Sequence, residues 1–397
     1  MFRISQFMRS LAQAEASGDY PAARSARPSG PVVIWNLIRR CNLTCKHCYS
    51  ISADHEYEGE LSTGEIYTVM EDLKRFHVPV LILSGGEPLL RADLFEIAQR
   101  GREMNFYLGL STNGTLIDAP MADRIAVAGF DYVGISLDGI GATHDKFRRL
   151  VGAYQRSLNG VRLLQERGVK VGLRYTMTDM NAHDLPALLQ LMREEEVDKF
   201  YFSHLNYAGR GNIHRSRDAR FGATRQAMDL LFDVAWKGAR EGRTEDYVTG
   251  NNDADGAYLL LWVRQHLPQW AAAVQADLRA WGGNSSGVNV ANIDNTGDVH
   301  PDTMWWHHRL GNVRERPFSE IWQDLSDPLM RGLKSRPRPV GGRCAQCVHL
   351  GICGGNTRVR AQQVTGDPWA EDPGCYLDDA EVLPQANATP QHALGAA

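Results

Sequence analysis

The chain has 397 residues, 43% of them hydrophobic and 23% charged, with a formal net charge of -4. That composition is typical of a globular protein with room for a large core and two packed units, and it excludes a disordered chain and a nucleic-acid partner held by bulk positive charge. Apolar runs are too short to span a bilayer, and Arg3, Arg9, Glu15 and Asp19 interrupt the apolar start, so no membrane span or signal peptide is expected and the expected location is cytoplasmic.

In chain order, Phe2, Ile4, Phe7, Met8 and Leu11 predict a short amphipathic helix packing on the body, followed by a linker from Pro21 to Pro31; residues 1–30 form this leading helix and linker. From Pro31 to about Tyr207, short β-branched or aromatic runs alternate with amphipathic stretches. The predicted strands are Val32 to Ile38, Val80 to Leu83, Phe106 to Leu110, Tyr132 to Ser136, Val169 to Tyr175 and Phe200 to Ser203. The first helix between them opens at Ser62, with Glu65 three residues on, which is a capping box. Six parallel βα repeats over 31–210 predict an α/β open barrel with its chemistry on the loops after the strand C-termini. Residues 211–283 read as a connecting region, mostly helical from 223 to 280, with Leu230, Leu231, Val234 and Leu259 to Trp262 as apolar faces. Residues 284–314 read as a strand pair about the turn Asn295-Thr-Gly297. Residues 379–397 are polar and Ala/Pro-rich, a frayed tail.

Seven cysteines punctuate this pattern. Cys41, Cys45 and Cys48 fall in one phrase, Cys41-Asn-Leu-Thr-Cys45-Lys-His-Cys48-Tyr49, on the loop after the first strand. Three thiolates at this spacing can ligate three irons of a cubane [4Fe-4S] cluster and leave the fourth without a protein ligand. Zinc is the competing reading, with His47 completing four ligands, although the His47 backbone is already committed between two ligand positions. Cys344, Cys347, Cys353 and Cys375 can close a second cluster with no open iron, or a four-thiolate zinc site. Ser84-Gly85-Gly86-Glu87-Pro88 follows the second strand, Ser111-Thr-Asn113-Gly114 the third and Ser136-Leu-Asp138-Gly139 the fourth. After the sixth come Arg210, His214, Arg215, Arg217 and Arg220, a basic rim suited to carboxylates if it is not simply a solvated loop.

The cysteine phrase resembles the signature of the radical S-adenosylmethionine (SAM) enzymes, in which the amino and carboxylate groups of SAM chelate the open iron and the reduced cluster releases a 5'-deoxyadenosyl radical. On that resemblance, Gly85, Gly86 and Glu87 match the motif that receives the SAM amino group. Asn113, Ser136 and Asp138 match rim residues that contact its ribose and carboxylate, Arg148 the arginine that forks onto the carboxylate, and His47 the position beside the adenine. Cys344, Cys347, Cys353 and Cys375, with Leu310-Gly-Asn-Val313, Ile321-Trp322 and Cys353-Gly-Gly355, resemble the outer auxiliary cluster of the SPASM extension. Asn284 to Gly287, His300 to Asp302 and Gly355-Asn356 lack the cysteines with which a complete extension holds an inner cluster.

The resemblance covers essentially the whole chain. It implies a partial (β/α)6 radical SAM barrel with a C-terminal SPASM/twitch-like iron-sulfur extension over 284–378, SAM and two [4Fe-4S] clusters as cofactors, and a reductant such as ferredoxin or flavodoxin. One radical cluster, one outer cluster and no inner one is similar to the radical SAM enzymes of heme d1 biosynthesis. A tetrapyrrole substrate, 12,18-didecarboxysiroheme, is then implied, with two propionate side chains lost and replaced by oxo groups. Arg210, His214 and Arg215 would meet its carboxylates, and Trp306 and His307, in the run Trp305-Trp306-His307-His308, would form a wall. A peptide maturase forming thioether or carbon-carbon links, or a related radical SAM heme-pathway decarboxylase, is the rival enzyme; a zinc or iron-sulfur scaffold is the non-enzymatic rival.

Overall fold

A computed structural model of the chain describes residues 1–21, 30–219 and 221–384. Its strands, in chain order, are β1 (Phe2–Arg3), β2 (Val32–Ile38), β3 (Val80–Gly85), β4 (Tyr107–Thr112), β5 (Tyr132–Ser136), β6 (Val171–Met177), β7 (Lys199–His204), β8 (Asp246–Gly250), β9 (Val290–Ile293), β10 (Asp298–His300) and β11 (Gly311–Asn312). They form one sheet in the order β1-β8-β7-β6-β5-β4-β3-β2-β9-β10-β11. The run from β2 to β8 is parallel, each strand beside the next in sequence, the arrangement that repeated βα units produce. The sheet remains open, with β1 and β11 at its edges.

Two-residue alternation gives this sheet two different faces. Val33, Trp35, Leu37, Leu81, Leu83, Leu173, Tyr175, Phe200 and Phe202 are buried on the face covered by helices. Each such large side chain contributes roughly 1.5–3 kcal/mol by leaving water. The alternate positions carry Asn36, Ser84, Ser111, Ser136, Arg174 and Tyr201 toward the C-terminal ends of the strands, beside apolar residues such as Ile34 and Ile82. A parallel sheet sealed by helices on both faces would carry apolar residues on both, so this end of the inner face is built for something polar.

The helix Thr63–Arg75 opens on the expected box: Ser62 N–H donates to Glu65 Oε2 at 2.8 Å, and Glu65 N–H to Ser62 Oγ at 3.4 Å. The N-terminal helix Ile4–Ser17 packs Ile4, Phe7, Met8 and Leu11 into the main core. Most of the expected linker, and the tail beyond residue 384, lie outside the described residues. The turn at Asn295-Thr-Gly297 joins β9 to β10 as expected, and Asp294 Oδ1 organises it by accepting from Thr296 N and Asp298 N, each at 2.9 Å.

The helical reading of 223–280 needs one correction. Tyr247-Val-Thr249 is a seventh parallel strand, and β1 pairs antiparallel to it. No helix among the described residues is long and apolar enough to cross a membrane.

Candidate active site

β2 ends at Ile38, and the chain then runs over the C-terminal edge of the parallel strands as the loop of Cys41, Cys45 and Cys48. Cys41 and Cys45 are buried with Leu43, flanked by Cys48 and Leu150. Donors surround the sulfurs: Leu43 N lies 3.4 Å and Asn113 Nδ2 3.9 Å from Cys41 Sγ, Arg148 Nη1 lies 3.6 Å from Cys45 Sγ, and Ser50 Oγ 3.3 Å from Cys48 Sγ. Burial pushes the Cys41 and Cys45 thiols up, while Arg148 pulls Cys45 the other way. Such sulfurs ionise when a metal takes the proton's place, and a nearby cation and N–H groups stabilise the resulting charge.

The loop is held by two segments. Gly85 and Gly86 press against its base: a Cβ on Gly85 would stand 2.3 Å from Ile38 O, and one on Gly86 2.3 Å from both Arg39 O and Arg40 O. These glycines are therefore required by backbone packing, since Gly86 N–H donates to Ile38 O at 2.7 Å and Glu87 N–H to Arg40 O at 2.9 Å. The buried Glu87 carboxylate accepts from Asn113 N at 2.8 Å, Thr112 Oγ1 at 2.7 Å and Leu89 N at 3.1 Å, which ties the ends of β3 and β4 together. Burial raises its pKa to about 7 despite those bonds.

The second segment is Ala208 to Ile213, where the sequence suggested rim arginines. Arg210 instead turns onto the cysteine loop, with Nε donating to Cys45 O at 2.7 Å and Nη1 to Ser52 O at 3.0 Å. Gly209 has φ +53°, and a Cβ there would meet Tyr49 O at 2.3 Å. Arg210 is thus a clamp on the loop.

Beside Cys45 lies a buried charge network. Arg148 pairs with Asp138 Oδ2, and His47 Nε2 stands 3.8 Å from the same oxygen. Asp138 Oδ1 accepts from Thr176 N at 2.7 Å, and His144 Nδ1 accepts from Asp138 N at 3.0 Å. Burial is the largest influence on both and opposes both charges, but Arg148, the neighbouring His47 and His144 and the Thr176 N–H together outweigh it at Asp138, whose pKa lies below the ordinary value; Asp138 and Cys45 together outweigh it at Arg148, whose pKa lies above. Burial pushes His47 down to about 4, so its ring is neutral at physiological pH. His47 packs on Phe147 with centroids 4.7 Å apart. Its Nδ1, Arg148 Nε and Arg210 Nη2 are buried with no hydrogen-bond partner among the described residues, so the walls around Cys45 fit a polar ligand.

Tyr49 carries this site onto the inner face of the sheet. Asn36 Nδ2 donates to Tyr49 Oη at 2.8 Å, and Asn292 Nδ2 to Asn36 Oδ1 at 2.6 Å. The Trp306 ring lies 6.2 Å from Tyr49, stacks on His300 at 6.3 Å and has the Arg39 guanidinium 5.6 Å from it. Trp305, by contrast, is fully buried with Leu329, Leu333 and Val359. His307 is exposed and bonded to Gln362 at 2.6 Å. Arg215 is exposed, donating to Asn212 and Gln363, Arg217 pairs with Asp179, and His214 is also exposed. The site thus gathers His47, Asn113, Asp138, Arg148, Arg210 and Trp306 around the cysteine loop, whereas His214, Arg215 and His307 stand apart; Arg220 is outside the described residues.

The other four cysteines line a single cavity of about 180 Å³ with Leu350, Pro373 and Leu377. His349 N–H donates to Cys347 Sγ at 3.3 Å, and the Gly355 and Leu377 N–H groups donate to Cys353 and Cys375. Four thiols with backbone donors in one largely apolar chamber suit a sulfur-ligated metal centre. The three stretches without cysteine knit into a polar knot. Asn284 Nδ2 donates to Asp253 Oδ2 at 2.9 Å, Asn356 Oδ1 accepts from Asp253 N at 2.6 Å, Arg338 Nη1 donates to Asn284 Oδ1 at 3.0 Å, and Gly287 N–H donates to Pro301 O at 2.8 Å.

Sequence reasoning missed Arg174, Tyr49 and Asn36. For Arg174 a signal existed: within Val171-Gly-Leu-Arg174-Tyr-Thr-Met177 the alternate positions Gly, Arg and Thr mark a polar face.

Residues 35–192 match the radical SAM superfamily. The chain is 54% identical over 384 residues to the pre-heme d1 synthase of Dinoroseobacter shibae, covering 96% of this chain and 94% of that protein. It is 46% identical to the Fe-coproporphyrin III synthase of Methanosarcina barkeri, covering 89% of each. Among solved structures, Streptococcus suis SuiB bound to S-adenosylmethionine superposes with a TM-score of 0.69 at 17% identity, over 93% of this chain and 81% of that one, a likeness of fold.

Proposed function

The chain belongs to the radical SAM superfamily, and from that premise we propose that it acts in heme d1 biosynthesis, removing two propionate side chains from 12,18-didecarboxysiroheme with their replacement by oxo groups. The observation that carries the radical chemistry is the Cys41, Cys45, Cys48 loop set beside Arg148 and Asp138 at the C-terminal edge of the parallel strands. The substrate class rests on the relatives, which match nearly end to end.

Cys41, Cys45 and Cys48 would hold a [4Fe-4S] cluster, which would supply the electron for reductive cleavage of SAM. Arg148 holds a positive charge against Cys45, and Asp138 fixes the guanidinium from behind. His47, neutral and lodged between Phe147 and Asp138, presents a buried Nδ1 to a polar ligand. Asn113 and Ser136 stand on the same rim. Gly85, Gly86 and Glu87 set the height of the loop over the strands, and Arg210 closes it from the other side. Tyr49 and Trp306 form an aromatic wall on which a flat macrocycle can stack. Cys344, Cys347, Cys353 and Cys375 would hold a second [4Fe-4S] cluster. A small reductant such as ferredoxin or flavodoxin supplies electrons, and the protein works in the cytoplasm.

Anaerobic titration of the cluster-loaded protein with 12,18-didecarboxysiroheme tests the substrate class. The absorption bands of the tetrapyrrole are expected to shift and saturate. An unchanged spectrum, with a precursor peptide binding instead, would favour a peptide maturase.

A further inference from the structure

Arg174 sits in the middle of β6, on the inner face between Gly172 and Thr176, while Val171, Leu173, Tyr175 and Met177 are buried on the other face. Room for it is built into the neighbouring strands. A Cβ on Gly134 would lie 2.8 Å from Arg174 Cδ, one on Gly172 2.2 Å from Tyr132 Oη, and one on Gly250 2.1 Å from Tyr201 Oη. Three strands therefore omit a side chain where three long polar ones lie.

The Arg174 guanidinium donates to Ser111 Oγ and stands 5.3 Å from the Tyr201 ring. No carboxylate among the described residues pairs with it. It lies level with Ser136 at the C-terminal end of β5 and bonds Ser111 near the C-terminal end of β4, so it borders the rim that carries Asn113 and Asp138. A half-buried guanidinium lacking a counter-charge is costly to keep, and its rigid fork matches a carboxylate.

We propose that Arg174, braced by Ser111 and Tyr201, is the anchoring site for a carboxylate of the substrate, an acetate or propionate arm of the tetrapyrrole reaching into the inner face. This deepens the tetrapyrrole reading above and rests on it. The anchored arm fixes which edge of the macrocycle faces the cysteine loop.

SAM also carries a carboxylate, so the test has separate arms. Cluster-loaded wild type and Arg174→Gln are titrated anaerobically with 12,18-didecarboxysiroheme, with its fully methyl-esterified form, and with SAM. Loss of a charge-assisted contact is expected to weaken the free acid by about 10- to 100-fold in the variant. Affinity for the ester should be the same in both proteins, and SAM affinity should be unchanged. Equal binding of the free acid by both proteins would overturn the assignment, as would a loss confined to SAM. If wild type binds no tetrapyrrole, the proposed function itself fails and the anchor falls with it. Should Arg174→Gln not take up iron, Arg174→Lys replaces it: a smaller loss for the acid and none for the ester is expected, and wild-type affinity for the acid would count against the anchor.

Discussion

Replacing Cys41, Cys45 and Cys48 together by alanine is expected to reduce 5'-deoxyadenosine formation, under dithionite with SAM, to the level seen without protein. Iron should fall from about eight per chain in the reconstituted wild type to about four, because the four-cysteine chamber is untouched. The complementary variant, with Cys344, Cys347, Cys353 and Cys375 replaced, should keep the spectral response to SAM. The two cysteine sets lie in different parts of the fold, one over the parallel strands and one against the helix Ala254–His266, so each can be emptied alone. Retention of SAM cleavage by the first variant would place the reactive centre elsewhere.

The second large effect is expected from Asp138→Asn. The amide keeps an oxygen for Thr176 N–H but removes the charge that Arg148 faces in a buried setting. Breaking one side of a buried ion pair costs about 3–5 kcal/mol, so urea unfolding should show a loss of that order. Asp138 has a folded pKa below its ordinary value, so its stabilisation is full above the ordinary carboxylate range and is lost as pH falls through the folded value. The gap between wild type and Asp138→Asn should therefore narrow in acid. SAM affinity should fall as well, because Arg148 loses the partner that aims it past Cys45. An unaltered unfolding midpoint and SAM affinity would show that the pair carries neither role.

Much of this architecture was legible in the sequence because its signals are local. β-branched and aromatic runs at two-residue alternation marked β2 to β7 to within a few residues, and Ser62 with Glu65 marked a helix start. Both cysteine sets announced themselves by spacing alone. β8 escaped because Asp246–Gly250 is short, opens on an acid and closes on a glycine within a helix-rich stretch. What remained hidden depended on distant contacts. Arg210 reads as a rim cation in sequence, but the close approach of Gly209 to Tyr49 turns it onto the loop. Gly85 and Gly86 read as a ligand cradle, and their close packing against Ile38, Arg39 and Arg40 came into view only with the fold. Arg148 and Asp138 were each legible as rim residues, but their pairing was not, because it depends on how the helix Ala142–Arg148 brings His144 and Arg148 onto the loop after β5.

The central claim, radical chemistry at a tetrapyrrole propionate beside the Cys41 loop, is tested most directly by isotope transfer. Protein loaded with both clusters is incubated anaerobically with SAM, dithionite and 12,18-didecarboxysiroheme deuterated on its propionate carbons, and the nucleoside and macrocycle are weighed by mass spectrometry. Deuterium in the 5'-deoxyadenosine, with loss of propionate from the macrocycle, is the expected result. Unlabelled 5'-deoxyadenosine beside an intact macrocycle would contradict it.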